Sequence, residues 1–517
     1  MTSMTNPLFM KPHVLPFLIP FLSLWTLPAQ NLDLVHVITQ ENISGNARYE
    51  AMSGAFGALG GNLSAIHINP AASAVFIANQ FGLGTSAQST TNNTSYFGTS
   101  TPTENRNSGL NQIGGVLVLK NNNKDIGWKK IAFGFNAQMQ SSYNNTIQIN
   151  GTNTENGLDT YFLDYAAGKN GGAFRLNDGE TVRDVYKFFG KSAGYGFEYQ
   201  QAFLGYQGYI FDYLEDDDLF LSNAIYSSVQ HNHKIQTSGD KWDMAFTISG
   251  QHNDWLYLGA NMNFSGIEYR QISSTTESGY DLNSPMREIY FQNNLYTYGG
   301  GVSLQFGVIA TPNKNVRLGA SYKSPTWYSL KDEFSQYLET QSNDTEGNSF
   351  NDVIDLTNTV NVYEDYTIKT PSELRGSLAY IFGTRGLVSF DYIVKNYQNT
   401  HIGPNDNDVF IALNDQIDQS WTSTSSYRIG GEYRQGGVSL RAGYHLEESP
   451  YSNASIIEGR SGYSFGIGFN FKSSVINLSL LNSEQNRSHQ LYDTGLVDRA
   501  NNAIDLQQFT VSWNLKF

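Results

Sequence analysis

The chain of 517 residues contains no cysteine, and only 15 % of its residues are charged. Without cysteine it has no disulfide framework, no Cys-ligated zinc, no thiol nucleophile and no lipid-anchored N-terminal cysteine. The net charge of −15 disfavours nucleic acid as a partner, because phosphate binding needs clustered Lys and Arg. The mean hydropathy is −0.38, and the mature chain has no apolar block of the kind that a membrane helix needs.

Aromatic residues and glycine are instead abundant, with 32 Tyr, 31 Phe and 49 Gly. Strand-length segments alternate apolar residues with Gly, Ser, Asn and Gln, for example at residues 131–139, 256–264 and 463–471. This pattern predicts an all-β transmembrane barrel of about 14 antiparallel strands. Soluble sandwiches and propellers also alternate, but the ~10-residue segments exceed the usual strand length and no blade-length repeat is visible.

The connections between these segments have two lengths. Residues 383–386 and 434–437 form very short polar turns, as on the periplasmic rim of an outer-membrane barrel. Other gaps are long and rich in Asn, Thr, Ser and Asp, and we predict them to be extracellular loops. They are residues 89–109, 144–191, 333–366, 398–424 and 482–502.

The N-terminus is typical of a secretory signal peptide over residues 1–30. Lys11 and His13 precede an apolar run at residues 14–27, and Ala29 offers a small residue for cleavage. The run is too short to span a bilayer as a helix. Residues 31–45 fit either a short strand or a helix.

Residues 46–76 are rich in Gly and Ala and end in an Asn-Pro-Ala turn. Such a segment predicts a compact plug inside a larger structure, because glycine allows backbone to pack against backbone. We therefore divide the chain into a signal peptide (1–30), a small helical plug or hatch (31–78) and a barrel (79–517). A helical hairpin with no role beyond packing is an open alternative. A nucleotide-binding loop is not, because the segment lacks the glycine spacing that such a loop requires. The predicted plug residues are Arg48, Met52, Gly54, Gly57, Gly60, Gly61, Asn69, Pro70 and Ala71.

The last residues form an amphipathic strand that ends in an aromatic residue. Together with the export signal, this strand predicts insertion into the bacterial outer membrane by the barrel-assembly machinery. The residues of this predicted assembly signal are Phe509, Val511, Trp513, Leu515 and Phe517.

The sequence motif of residues 46–76 resembles that of the long-chain fatty acid transporter (FadL) family. This family includes toluene-type hydrocarbon channels (TodX-like) and proteins labelled hemin receptors. Two positions, Ser53 and Ala72, depart from the family phrase. Residues 322–325, 370–376 and 440–450 also look like family phrases. The matching plug residues, in order, are Arg48, Met52, Gly54, Ala55, Ser64, Ala65, Ile66, Asn69, Pro70 and Ala71.

The resemblance implies passive uptake of fatty-acid-like hydrophobic molecules, which leave sideways through a gap in the barrel wall. The implied partners are the lipid bilayer and a hydrophobic small molecule, with no cofactor. We place the gap where glycine can bend a strand, and the candidates are Gly82, Gly84, Gly114 and Gly115. The alternative function is a non-transporting subunit that docks with other outer-membrane proteins in a secretion or assembly complex.

We expect no enzymatic activity, because no Ser/His/acid set can be assembled from the sequence. Residues 462–466 match the G-x-S-x-G motif, but inside an alternating strand rather than at a strand-to-helix turn. His231 and His233 share a strand face without a third metal ligand, and the acidic residues at 215–218 and 406–408 lack a calcium-loop pattern. We therefore predict no metal site.

Overall fold

The computed structural model of the protein describes residues 32–121, 127–192 and 194–517. The predicted signal peptide (1–30) lies outside these residues. The α-helices are α1 Leu32–Thr39, α2 Ala47–Glu50, α3 Leu158–Ala166, α4 Val182–Lys191, α5 Phe197–Gln207 and α6 Asp408–Ser420. Short 3-10 helices span Ser64–His67, Pro70–Val75, Gly171–Phe174 and Tyr397–Asn399.

The β-strands, in chain order, are β1 Gln80–Tyr96, β2 Thr99–Lys120, β3 Trp128–Ser142, β4 Asn145–Asn153, β5 Phe211–Leu214, β6 Leu219–Ser222, β7 Val229–His252, β8 Leu256–Ser278, β9 Met286–Ala310, β10 Val316–Lys323, β11 Trp327–Asn343, β12 Ser349–Asp355, β13 Asn361–Val362, β14 Tyr366–Lys369, β15 Glu373–Ile381, β16 Gly386–Asn396, β17 His401–Gly403, β18 Ser423–Gln435, β19 Val438–Glu447, β20 Arg460–Phe471, β21 Ser474–Gln490 and β22 Arg499–Lys516.

Fourteen antiparallel strands form a closed ring, as predicted. Their order around the ring is β1, β2, β3, β7, β8, β9, β10, β15, β16, β18, β19, β20, β21 and β22. The ring closes where β1 pairs with β22, with Gln80 opposite Lys516. The other strands extend or cover this ring, so the prediction of a 14-stranded barrel is confirmed.

Side chains alternate between the two surfaces of the barrel. Phe390, Leu304 and Phe465 point outward and are about half exposed, whereas their neighbours Asp391 and Ser464 are fully buried. An outer surface of large apolar side chains and an inner surface of polar ones is the arrangement of a barrel in lipid.

Two of the predicted long loops, at residues 89–109 and 482–502, are shorter than expected, because strands continue into them. Residues 89–109 form the upper parts of β1 and β2, joined by a turn at Phe97 and Gly98, and β21 continues to Gln490. In these parts both strand faces carry Ser, Thr and Asn, so apolar alternation disappears although the backbone remains paired. Apolar alternation detected only the lower parts of the strands.

Four apolar clusters are buried in the barrel, and the two largest lie at different levels. The upper cluster contains α3, α4 and α5 and includes Phe162, Tyr186 and Phe203. The lumenal cluster packs α1 and α6 against the wall and includes Trp421. None of the helices in the described ranges is long and apolar enough to cross a membrane.

Candidate functional site

The N-terminal segment, which we define as residues 32–78, contacts inward-facing groups on all sides of the ring. Gly57 N donates to Asp391 on β16, and Asn261 on β8 donates to the carbonyl of Ile66. Because its partners surround it, the segment lies inside the barrel; its predicted action as a plug stays a prediction. Its side-chain partners lie on β2, β7, β8, β9, β10, β16, β18, β20, β21 and β22.

Local capping explains how the segment folds. Residues 32–39, which fitted either a strand or a helix, form helix α1. The side chain of Asn46 accepts a hydrogen bond from Tyr49 N and so caps α2. Gly54 and Gly60 have φ values of +74° and +61°, which other residues rarely adopt.

The Asn-Pro-Ala turn joins the segment to β9 and β10. Asn69 Nδ2 donates to the carbonyl oxygens of Gly57 (2.8 Å), Val308 (3.0 Å) and Ala320 (3.4 Å). Asn69 Oδ1 accepts from Ala71 N at 3.1 Å. The side-chain amide therefore uses its donors and its acceptor to hold two parts of the segment against the wall.

Glycines in the wall make room for the segment, a role that the sequence analysis missed. A Cβ atom at Gly307 would lie 1.9 Å from Asn69 Oδ1, and one at Gly319 would lie 2.4 Å from the Gly57 carbonyl oxygen. The sequence signal for them was an inward-facing glycine within an apolar alternation. The wall glycines in such backbone or side-chain contact with the segment include Gly82, Gly259, Gly307, Gly319, Gly430, Gly443 and Gly466.

Arg48 and Met52 also contact the wall. Arg48 Nε donates to Glu432 at 2.9 Å. Glu432 also forms ion pairs with Arg434 and Arg441. Met52 is fully buried, and its backbone lies against Gly430 and Gly443.

A chain of buried ion pairs connects the segment to two neighbouring wall strands, β15 and β16. Asp391 accepts from Arg375 (3.1 Å), which also pairs with Glu373 (2.8 Å). Lys395 joins Glu373 (3.1 Å) to Glu41 (2.9 Å) in the segment. Burial opposes ionisation of Glu41, but the neighbouring lysines outweigh it and hold the pKa of the Glu41 carboxyl well below its ordinary value.

The wall itself is incomplete between β2 and β3. Among the described residues of these strands, their backbone ladder ends at the pair Gln112–Gln138. Above this pair, side chains replace the ladder: Asn105 Nδ2 donates to Asn145 Oδ1 (2.9 Å) and Asn107 Nδ2 donates to Ser142 Oγ (3.0 Å). We call the space between residues 99–111 and residues 139–153 the β2–β3 gap.

The segment contacts the lower edge of this gap. Asn111 is a bulge residue, because Gly84 pairs with Gln112 and Thr85 with Leu110. Asn111 Oδ1 lies 2.7 Å from Ser44 Oγ, and Ser44 Oγ lies 2.5 Å from the Met139 carbonyl oxygen. Ser44 therefore bridges the two strands at the point where their ladder ends.

The predicted wall-gap glycines lie close to this point. Gly84 borders the register shift, and both Gly82 and Gly84 pair with the two neighbouring strands. Gly114 and Gly115 also pair with both neighbouring strands. Gly114 follows Gln112 by two residues and lies inside the paired part of β2 and β3. Their predicted role in opening the wall stays a prediction.

A partly open cavity of about 190 Å³ lies above the segment and reaches the gap. It is lined by Ser44, by residues 139–145 and by polar side chains of β18, β19 and β22 such as Arg428 and His445. In this state the route from the lumen to the gap is narrow and polar.

This geometry can be compared with known structures. A FadL homologue from Pseudomonas aeruginosa has a TM-score of 0.53 and 13% sequence identity, with 92% of this chain and 99% of that chain covered. The barrel has the FadL-type fold. The toluene transporter TodX from P. putida (TM-score 0.49, 14% identity) and the monoaromatic hydrocarbon channel CymD (0.46, 13%) cover the same shares of both chains. No protein-family model and no curated protein matches the sequence.

The remaining candidates have ordinary partners in this FadL-type barrel. Ser464 accepts a hydrogen bond from Ser53 N, inside strand β20. His231 Nε2 lies 2.6 Å from Glu277 Oε2, and His233 Nδ1 lies 2.7 Å from Thr275 Oγ1. Within the described ranges, no group of three or more His, Asp or Glu side chains could hold a metal ion.

Replacing Asp391 with alanine should loosen the segment. The change leaves Arg375 without one of its two carboxylates and removes the acceptor of Gly57 N, and breaking a buried pair in this way costs about 3 kcal/mol. We expect faster hydrogen exchange at the amides of Phe56 and Gly57. The control Asp254→Ala, in an exposed turn, should leave this exchange unchanged. Equal exchange in both variants would show that Asp391 does not hold the segment.

Proposed function

We propose that the protein is an outer-membrane channel for the passive uptake of small hydrophobic molecules, which leave sideways through the β2–β3 gap. The observation that carries this proposal is the wall ladder that ends at Gln112–Gln138 while both strands continue. An unpaired stretch of wall next to a lumenal cavity is where a molecule can pass without breaking a backbone ladder.

Lateral exit suits apolar cargo. An apolar molecule gains about 25 cal/mol for each Å² of surface that leaves water, so lipid is a better destination than an aqueous outlet. The fold shared with the FadL homologue supports a transport barrel of this type. In this function the N-terminal segment is the plug, and it keeps the lumen closed below the cavity.

Passage requires the plug to shift, because the cavity is small and most of the residues that line it are polar. Ser44 and Asn111 are the contacts that join the plug to the edge of the gap. We expect movement of residues 40–45 to widen the cavity and the gap together.

Uptake by cells tests this function. A Gram-negative host without its own hydrocarbon channel should take up radiolabelled decane or toluene faster when it produces the protein. Its lipopolysaccharide layer is the relevant barrier, because these compounds cross simple lipid vesicles unaided. Equal uptake with and without the protein, once its folded barrel is detected in the outer membrane, would refute the proposal.

A second candidate is a non-transporting subunit of an outer-membrane complex. It is favoured by the two apolar clusters that fill the lumen and by exposed apolar side chains on the extracellular face, including Leu219, Leu221 and Leu282. This function requires co-migration with partners in native gels of the source membranes, and migration as a free barrel would exclude it.

A further inference from the structure

A groove of about 530 Å³ crosses the wall over strands β7, β8, β9 and β11. This volume is within the range of small-ligand sites. Four of the side chains that line it belong to one row across the sheet, because each pairs in register with the next. They are Ser238, Arg270, Tyr296 and Glu333.

The row lies on the outer surface of the barrel. Arg270 follows Met262 by eight residues in β8, and Tyr296 precedes Phe306 by ten residues in β9, with no register shift between them. Side chains alternate along a strand, so an even separation places both members of each pair on the same face. Met262 and Phe306 are exposed residues of the outer apolar surface. The groove therefore opens outside the barrel.

The groove also lies above the apolar layer. Phe264 belongs to that layer, and the outward positions that follow it in β8 are Gly266, Glu268 and Arg270. Arg270 is six residues beyond Phe264, which places it about 20 Å farther along the strand and roughly 15 Å higher once the strand tilt is included. Side chains at this height lie among lipid headgroups. In a leaflet of lipopolysaccharide these headgroups are phosphorylated sugars.

The centre of the groove is a rigid platform of aromatic rings and one guanidinium. The Arg270 guanidinium lies 4.2 Å from the centroid of the Tyr296 ring, and the Tyr296 and Tyr298 rings are stacked with their centroids 4.9 Å apart. Arg270 Nη2 also donates to Glu268 Oε1 at 3.0 Å, yet 57 % of the arginine side chain is exposed. An aromatic face packs well against the C–H face of a sugar ring, and a fixed guanidinium suits a phosphate.

A second arginine lines the same groove at the edge of the β2–β3 gap. Arg106 of β2 pairs with Glu104 at 2.8 Å, and 76 % of its side chain is exposed. An arginine has five N–H donors, so one carboxylate does not exhaust either guanidinium. Glu333 supplies an acceptor for hydroxyl groups on the far side of the groove. Separated guanidiniums, an aromatic platform and carboxylate acceptors together match a sugar that carries phosphate.

We propose that this groove binds a phosphorylated sugar, as in the headgroup of an outer-leaflet glycolipid. Arg270 and Arg106 hold phosphate groups, and Tyr296 packs against the sugar ring. The inference goes beyond the proposed uptake function and uses only its location in the outer membrane.

Deacylated lipopolysaccharide tests the site, because it keeps the sugars and phosphates and has no acyl chains. Calorimetry with the purified full-length protein in a maltoside detergent should show saturable binding. Arg270→Gln should weaken this binding by about tenfold through loss of a charged hydrogen bond, and Tyr296→Ser by about fivefold through loss of ring packing. After enzymatic removal of the phosphates, the sugar should bind wild type and Arg270→Gln equally weakly.

Two matched controls separate the groove from the rest of the surface. Tyr392→Ser alters another exposed tyrosine pair of the outer wall, Tyr392 with Tyr427, and Arg385→Gln removes an exposed arginine from the turn between β15 and β16. Both should bind as wild type, and heat-modifiable gel mobility should show a folded barrel in every variant. Wild-type affinity in folded Arg270→Gln and Tyr296→Ser would overturn the proposal.

Further probes identify the source of the sugar. Retention of intact lipopolysaccharide without any binding of the deacylated form would overturn the proposal, because acyl chains alone would then explain the retention. Tighter binding of deacylated lipopolysaccharide than of glucose 6-phosphate would assign the groove to the glycolipid headgroup, whereas equal affinities would assign it to free sugar phosphates. These assays involve no transport, so sugar binding by a barrel that takes up no hydrocarbon would refute the uptake function alone.

Discussion

Replacing Gly307 with valine is expected to open the barrel to ions. A Cβ atom at this position would lie 1.9 Å from Asn69 Oδ1 and 2.8 Å from Pro70 Cδ. Strand β9 cannot retreat, because it is paired with β8 and β10, so the Asn-Pro-Ala turn must leave the wall. A barrel of this size without its inner segment holds a water-filled lumen, and we expect conductance in planar bilayers to rise by roughly tenfold.

The matched control is Gly376→Val. Gly376 also lies within a wall strand, but a Cβ atom there would meet nothing within 4 Å. Its conductance should equal that of the wild type, and heat-modifiable gel mobility should show a folded barrel in both variants. A folded Gly307→Val barrel with wild-type conductance would show that the turn does not close the lumen.

The sequence predicted the lower half of the barrel better than its upper half. Where strands cross the apolar layer, one face must be apolar and the other polar, so residues such as 463–471 carry a clear period of two. Above that layer the same strands have no apolar face, and their pairing depends on backbone hydrogen bonds that leave no pattern in the side chains. For that reason the side-chain pattern predicts a loop where the structure has the upper parts of β1 and β2.

The residues of the candidate site also fall into two groups, those that the sequence predicts and those that it does not. The Gly- and Ala-rich phrase that ends at Asn69 has a local signature, because close backbone packing demands small residues. The ion pairs of Glu41 have no such signature, because Glu41 is 282 residues from Lys323 and 354 residues from Lys395 along the chain. Only closure of the ring brings these groups together, and a single sequence does not contain that information.

The β2–β3 gap lies directly above the part of the barrel in which β2 and β3 are paired. Its lower edge depends on Asn111, whose bulge follows from one extra residue in β2 relative to β1. Such a shift changes register without changing composition, so it was not visible in the sequence. At this lower edge, Ser44 links the N-terminal segment to both strands.

Closing this gap with a disulfide should abolish uptake. Asn107 Nδ2 and Ser142 Oγ lie 3.0 Å apart across the gap, and the chain has no cysteine of its own, so Asn107→Cys with Ser142→Cys introduces a single possible bridge. Under oxidising conditions, uptake of the labelled hydrophobic compound should fall to the level of cells without the protein, and a reductant should restore it.

The control bridge, Leu117→Cys with Phe133→Cys, joins positions that already face each other in the paired part of β2 and β3. It should form without reducing uptake, because the wall is closed there in any case. Full activity of the oxidised 107–142 bridge, with its formation verified by mass spectrometry, would place the exit elsewhere. Loss of activity in that bridge alone would assign the exit to the stretch of wall where side chains replace the ladder.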